Sequence, residues 1–261
     1  MECDVFDQNR ADAFFLKGKV QSAFDAYFDG ATRHRDPRAA FDVAYMYHRG
    51  IHVPCNYTLA HEFYGAATLL EGGAAEFNRA LLYLRGQGTA VDFEAAARHM
   101  KRAANLGCVD ARLYLGVAYT TGCMFDPLDI ECLSMIPFYR VIRRDPNQCV
   151  LGGKGVDTET EAKRFEVLEP NEDDALAMFE AAASVGDTTY VESQVGTAKM
   201  MVGQALIEGV GREYDPKRGY ELLASAAIDY GSRDAAMLLA ENAESAATYG
   251  VRADNILLLF D

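Results

Sequence analysis

Apolar and polar positions alternate with helical spacing in the middle of the chain. Over residues 75–83, small and aromatic residues recur near one stripe of a helix, with polar residues between them. The glycine-rich loop 86–88 is predicted to end this helix, because glycine adopts the left-handed conformation that helix C-termini need. Asp92 is then placed to cap a second helix over 93–105. The pattern predicts two antiparallel helices joined by a short loop.

The same skeleton occurs four times along the chain. In the first pass it consists of Ala39, Ala44, Tyr47, Gly50, Ala60 and Ala67. It recurs 36 residues later as Ala75, Ala80, Tyr83, Gly86, Ala96 and Ala103. A third pass gives Ala111, Gly116, Tyr119 and Gly122, and a fourth gives Ala198, Gly203, Leu206, Gly209, Gly219 and Ala226. A period of this length indicates stacked helical hairpins, each too small to bury its own apolar face.

A small residue stands six positions before each loop glycine, where it is predicted to let two helices approach closely. These residues are Ala44, Ala80, Gly116 and Gly203. The aromatic residue three positions before the first three of these glycines is predicted to fill the adjoining gap. Replacing Gly116 or Ala80 with Leu is expected to overpack the joint and to cost about 1–3 kcal/mol.

The repeated pattern A-x4-[AG]-x2-Y-x2-G-x-[GH], followed by D/N-x3-A and a second Ala, resembles the Sel-one-like repeat (SLR) subfamily of tetratricopeptide-type repeats. The resemblance covers residues 37–122 and 172–231. It implies an all-α fold, a right-handed α-solenoid of antiparallel helix pairs. It also implies a non-catalytic scaffold that binds a protein or peptide partner on its concave face, with no cofactor.

The repeat positions predict one continuous repeat domain over 1–261. Its divisions are a degenerate N-terminal hairpin at 9–36, repeats at 37–72, 73–108, 109–186 and 187–231, and a C-terminal cap at 232–261. The first helix of the fourth repeat is entered late, which predicts that it is longer than the others.

The third repeat is interrupted by an insertion at about 126–170, since the helix start Asn171-Glu172-Asp173-Asp174 arrives late. The insertion contains the basic residues Arg140, Arg143 and Arg144. Two interpretations stay open, a mobile surface loop and a functional segment. In the second, the insertion covers the concave groove and forms a small-ligand or catalytic pocket, which is the alternative to the scaffold.

Charge narrows the class of partner. The formal net charge of −14 argues against a nucleic-acid partner and against an anionic membrane surface, and it favours basic or apolar partners. No run of 18 apolar residues could span a membrane. The chain shows no export signal and its six cysteines form no CxxC pair, so we expect reduced thiols and a cytoplasmic location.

Candidate catalytic and metal sites are weak. None of Ser134, Ser184 and Ser225 is followed three residues later by the Lys that a Ser-x-x-Lys nucleophile requires. His48 and His52 are four residues apart, but Gly50 lies between them at a predicted helix end. We therefore expect surface histidines, no metal and no enzyme activity.

The outward residues of the first helices are the candidate binding residues. They occupy positions eight, five and one before each loop glycine, and they are Asp42, Tyr45, Arg49, Asn78, Arg85 and Tyr114. Tyrosine, arginine and asparagine are residue types that anchor protein interfaces. A plain solvated helix face is the alternative for each of them, and Tyr45 and Tyr114 have the further alternative of a core position.

The C-terminal run 256–260 consists of five apolar residues, unlike the polar outer face that a capping repeat normally presents. Three interpretations stay open. The run folds back onto the last hairpin, it is an exposed surface through which two copies form a homodimer, or it is disordered.

Overall fold

The computed structural model describes residues 6–68, 72–122, 124, 167–185, 192–209, 214–253 and 256–259. Every regular element in these ranges is helical. The chain divides into two compact units, Met1–Cys108 and Val109–Asp261. They are described in turn below. The single repeat domain over 1–261 and its internal divisions stay a prediction.

Six helices form the first unit. They are α1 (Gln8–Leu16), α2 (Val20–Thr32), α3 (Pro37–Arg49), α4 (Tyr57–Ala67), α5 (Gly72–Arg85) and α6 (Phe93–Asn105). Each helix packs against the next one in the chain. The unit is therefore three consecutive hairpins, and the first of them, α1 with α2, turns at Gly18.

Local chemistry sets the ends of these helices. Asp36 accepts hydrogen bonds from the backbone N–H groups of Arg38 and Ala39, at 2.9 and 3.0 Å, directly before Pro37 at the first helical position. Asp92 accepts one from Ala95 at 2.8 Å and so starts α6 where it was predicted. Gly50 ends α3 with a φ of 67°, a left-handed conformation in which glycine carries no Cβ penalty.

The small residues of the repeat lie at the centre of the first unit. Ala44 on α3 and Ala80 on α5 have no exposed surface. The ring of Tyr47 stacks on that of Phe63, with centroids 6.1 Å apart and planes inclined by 15°. The prediction that a small residue allows two helices to approach closely, and that an aromatic residue fills the gap beside it, is confirmed here.

The second unit contains six α-helices and a short 3₁₀ helix among its described residues. They are α7 (Val109–Thr121), α8 (Glu172–Ala183), α9 (Glu192–Glu208), α10 (Pro216–Ile228), α11 (Arg233–Glu241), α12 (Ala243–Thr248) and the 3₁₀ helix Ile256–Leu259. Asn171 caps α8 through a 3.1 Å bond from the Asp174 N–H, as predicted. The α9 helix has 17 residues against 13 in α7, which confirms the longer first helix of the fourth repeat.

Two glycines bring helices of the second unit into close contact. A Cβ atom added at Gly116 would lie 2.5 Å from the ring of Phe179 on α8. One added at Gly203 on α9 would lie 2.8 Å from the carbonyl oxygen of Gly219 on α10. Both distances are too short for any larger side chain without movement, so the small residues are required by packing.

Candidate interaction surface

The outward side of α3 contains the first three candidate binding residues. Residues 38, 42, 45 and 49 follow one another at helical spacing, and the opposite side of α3 is buried. We call these four residues, Arg38, Asp42, Tyr45 and Arg49, the α3 face. Sequence spacing alone predicted three of them as outward positions.

Tyr45 and Arg49 form a pair at the surface. The phenol ring of Tyr45 is 40% exposed, and the guanidinium carbon of Arg49 lies 5.9 Å from its centroid. Arg49 is itself exposed. At this distance the cation is attracted by the face of the ring, so the two side chains restrict one another before any partner arrives.

Asp42 is connected to α1. The amide nitrogen of Gln8 donates to Asp42 at 2.7 Å and to Asp12 at 2.9 Å, and the hydroxyl of Tyr27 donates to Asp12 at 2.7 Å. Burial, followed by the hydrogen bond to Asp12, raises the pKa of Tyr27 well above its usual value. The Asp42 carboxylate therefore also fixes α1 against α3.

His48 lies beside the α3 face, against α4. Its Nδ1 atom is 3.2 Å from the hydroxyl of Tyr64, and its ring meets those of Tyr57 and Tyr64 edge-on. Burial, followed by the positive charges of Arg85 and Arg49, lowers the pKa of His48 to about 4. Arg49 at the end of α3 and Arg85 at the end of α5 thus act on the same imidazole, which is neutral at pH 7.

The other predicted residues differ in exposure. Asn78 and Arg85 are half-buried, and the Asn78 amide donates to the Ala74 carbonyl at 2.9 Å. Tyr114, in the second unit, is only 4% exposed and its hydroxyl lies 3.9 Å from the Met124 sulfur. The expectation that Tyr114 faces outward is wrong, because the chain after Gly122 brings Met124 against it. Arg140, Arg143 and Arg144, with the pocket proposed around them, lie outside the described residues.

A polar cluster between α4, α5 and α6 was missed by sequence reasoning. Glu76 has no exposed surface, forms an ion pair with Arg102 at 3.2 Å and bonds the Nδ1 atom of His99. The His99 ring stacks on Tyr83 with centroids 5.3 Å apart. His61 approaches the same tyrosine edge-on at 5.0 Å. The sequence contained a signal for this cluster, because Glu76 occupies the repeat position of Ala40, which is buried in the preceding repeat.

His52 is exposed as expected, but two other histidines are not the surface residues that the sequence indicated. His48 and His61 are half-buried, and the Nε2 atom of His61 is fully shielded from solvent. His48 faces Tyr64, whereas the His52 ring lies against Phe24. In the described part of the chain no three His, Cys, Asp or Glu side chains are grouped to hold a metal ion.

Ser225 has a lysine neighbour that the search for Ser-x-x-Lys could not find. The ammonium group of Lys199 on α9 donates to the Ser225 hydroxyl at 3.0 Å, and that hydroxyl donates to Asp229 at 2.7 Å. Lys199 also lies 4.2 Å from the centre of the Tyr230 ring. Because the hydroxyl proton is directed at Asp229, this arrangement connects two helices and does not present a nucleophile activated by lysine.

Consecutive antiparallel helix pairs with recurring small residues define a helical-repeat protein of the α-solenoid class. The family model described as Sel1 repeat matches four segments, 37–70, 73–108, 166–187 and 197–228. The chain belongs to the Sel1 repeat family, as its glycine loops and spacing indicated. Proteins of this family are generally non-catalytic scaffolds for protein interactions.

Three solved structures are similar to this chain. A Sel1 repeat protein from Oxalobacter formigenes is 18% identical, with a TM-score of 0.65 over 93% of this chain and 82% of that one. A putative Sel1 repeat protein from Klebsiella pneumoniae is 16% identical, with a TM-score of 0.42 over 92% and 89%. The protective antigen c5321 of uropathogenic Escherichia coli is 21% identical, with a TM-score of 0.40 over 95% and 57%.

The fold assignment rests on the first of these structures. A search of curated proteins finds no match. None of the helices in the described ranges is both long enough and apolar enough to cross a membrane.

Proposed function

We propose that the protein is a non-catalytic scaffold whose α3 face binds a protein or peptide partner. The observation that carries the proposal is the exposed Tyr45–Arg49 pair. Tyrosine and arginine are enriched among the residues that dominate binding energy at protein interfaces.

The surroundings of the pair support a preformed surface. Arg49 is in contact with the Tyr45 ring, so fewer rotamers are lost when a partner binds. Asp42, one turn before Tyr45, is held by Gln8, and Asn78 on the next first helix is held by its own backbone. Polar groups with fixed positions give an interface orientation as well as affinity.

The test is capture of a partner from lysate of the native host by the full chain and by the Y45A/R49A variant. We expect a protein that the wild type captures to be lost from the variant, and purified partner to bind the variant more weakly by at least about 1–2 kcal/mol. The variant is expected to keep its unfolding midpoint, because both side chains lie at the surface.

A matched control is the Y214A/R218A variant in the second unit. Tyr214 is 61% exposed and Arg218 is exposed, so the control removes the same side-chain types from a different surface. It is expected to capture the partner normally. Equal capture by the wild type and by Y45A/R49A would remove the α3 face from consideration.

A further inference from the structure

Two segments of the first unit carry positive charge without any acid. Residues 43–56 and 77–91 contain Arg49, Arg79 and Arg85 and no aspartate or glutamate. The whole chain, in contrast, has a formal net charge of −14. The negative charge that dominates the protein is therefore excluded from these segments.

The fold brings the two segments together at one end of the unit. The first contains the end of α3 and the loop after it, and the second contains the end of α5 and its loop. The loop after α5 meets the start of α4: a Cβ atom at Gly88 would lie 2.4 Å from the backbone of Tyr57, the first residue of α4, which directly follows the first segment. Arg49 and Arg85 stand at equivalent positions of consecutive repeats, each one residue before its loop glycine.

We infer that the adjacent ends of α3 and α5, beside the α3 face, bind an acidic peptide segment of the partner. Carboxylates of the segment bond the guanidinium groups of Arg49 and Arg85, and an apolar side chain of the segment packs on Tyr45. The inference rests on the proposed function and adds the chemical class of the partner.

The acids that flank these segments in the sequence already have partners. Asp42 accepts a hydrogen bond from Gln8, and Asp92 accepts one from the Ala95 N–H. The guanidinium carbon of Arg49 lies 5.9 Å from the centre of the Tyr45 ring, and guanidinium N–H groups are suited to bond a carboxylate. After burial, the positive charges of Arg85 and Arg49 also lower the pKa of His48, which agrees with two like charges at this end of the unit. A carboxylate bound there offsets their repulsion.

This partner class is opposite to the one that the net charge favours. Net charge describes the field of the whole molecule, which salt screens over about 8 Å at physiological ionic strength. A bound segment is in contact with Arg49 and Arg85 and so responds to the local charge. An acidic segment is therefore compatible with an acidic protein.

The test is a selection of random dodecapeptides displayed on phage, carried out against the full chain. We expect the enriched peptides to contain an excess of Asp and Glu together with an apolar residue. A synthetic peptide of enriched sequence is then measured by fluorescence anisotropy beside its Asn/Gln counterpart. The acidic form is expected to bind at least about tenfold more tightly, with an affinity that falls as salt rises. Free and amidated C-termini show whether a terminal carboxylate contributes.

Charge reversal locates the site. R49E and R49E/R85E are expected to weaken the acidic peptide by at least about tenfold. The control K217E/R218E, at two exposed positions of α10, is expected to bind it normally. R49E alone is informative if R49E/R85E fails to fold, because Arg49 is exposed whereas Arg85 is half-buried. Unfolding curves of all variants check the fold.

The outcomes separate this inference from the proposed function. Peptides that lack acids, yet lose binding in Y45A, would overturn the acidic class and leave the α3 face in place. Acidic peptides that bind R49E/R85E as tightly as wild type would overturn the assignment to these arginines. Failure to enrich any peptide would overturn recognition of a linear segment, and capture of a folded partner through Tyr45 would still test the scaffold.

Discussion

Glu76 on α5 and Arg102 on α6 form an ion pair between the two helices of the second repeat, with Oε1 and Nη2 3.2 Å apart. The equivalent residues of the fourth repeat are Lys199 and Ser225, which bond at 3.0 Å. In the third repeat the guanidinium of Arg112 donates to the carbonyl of Ala181 at 2.8 Å. The same pair of repeat positions, one on each helix, therefore forms a polar connection between the paired helices in three repeats. In the first repeat these positions are Ala40 and Ala66.

In the second repeat, Glu76 and Arg102 are expected to contribute non-additively to the free energy of unfolding. Arg102→Ala leaves the fully buried Glu76 carboxylate without its permanent cation and should lower the free energy of unfolding by about 1–3 kcal/mol. The E76A/R102A variant reproduces the alanine pair of the first repeat. It should cost less than the sum of the single changes, with a coupling of about 1–2 kcal/mol in urea unfolding.

Arg98→Ala, at an exposed position one turn earlier on α6, is the control and should change stability by less than about 0.5 kcal/mol. Additive effects of E76A and R102A would show that the ion pair contributes nothing beyond its separate side chains.

Gly116 is expected to tolerate no side chain. Gly116→Ala places a methyl group 2.5 Å from the Phe179 ring and should destabilise the second unit by about 1–3 kcal/mol, despite the better helix propensity of alanine. The control is Gly65→Ala on α4, where the nearest atom would lie 3.9 Å away. That change should be neutral or stabilise the protein by up to about 1 kcal/mol. Thermal unfolding of both variants measures the contrast, and equal midpoints would contradict the packing argument.

His48 is expected to make the first unit sensitive to acid. Its pKa is lowered from 6.5 to about 4 in the folded protein, so the unfolded chain takes up the proton first as pH falls. Stability should therefore decrease from pH 6.5 to pH 4 and should not depend on His48 above that range. Burial lowers the pKa of His61 and His99 in the same direction, which adds to the effect.

The measurement is urea unfolding at several pH values for the wild type and for H48Q, whose amide can still meet the Tyr64 hydroxyl. H48Q should lose less stability than the wild type between pH 6.5 and pH 4. His52→Gln, on the neighbouring loop and exposed, is the control. An NMR titration of the His48 ring with a midpoint near 6.5 would contradict the expectation directly.

The C-terminal segment is expected to stabilise the second unit. Ile256 is 5% exposed, and its 3₁₀ helix packs against α11, whereas Leu257 is 42% exposed. Ile256→Ser should lower the free energy of unfolding by about 1.5–3 kcal/mol, the usual value for a buried aliphatic side chain, and Leu257→Ser should not. Light scattering of both variants tests the homodimer. A wild-type dimer that L257S converts to a monomer would favour the exposed tail as its interface.

The sequence by itself determined the repeat, its class and the ends of its helices. The 36-residue period indicated the family, and Asp92 and Gly50 marked helix ends that the structure confirms. These features depend on short-range chemistry, since a capping carboxylate bonds N–H groups two or three residues away and a loop glycine needs only its own backbone freedom. The outward spacing of Tyr45 and Arg49 on α3 follows from helical periodicity in the same way.

Only the tertiary structure decided which side chains from different helices meet. The burial of Tyr114 depends on Met124 beyond the loop glycine, and the environment of His48 depends on Arg85, 37 residues along the chain. Glu76 could be recognised as unusual for its register, but its partners His99 and Arg102 lie on another helix. Periodicity gives the face of a residue on its own helix. Burial, charge and hydrogen bonding are set by the neighbouring helices, whose distances the spacing of residues does not contain.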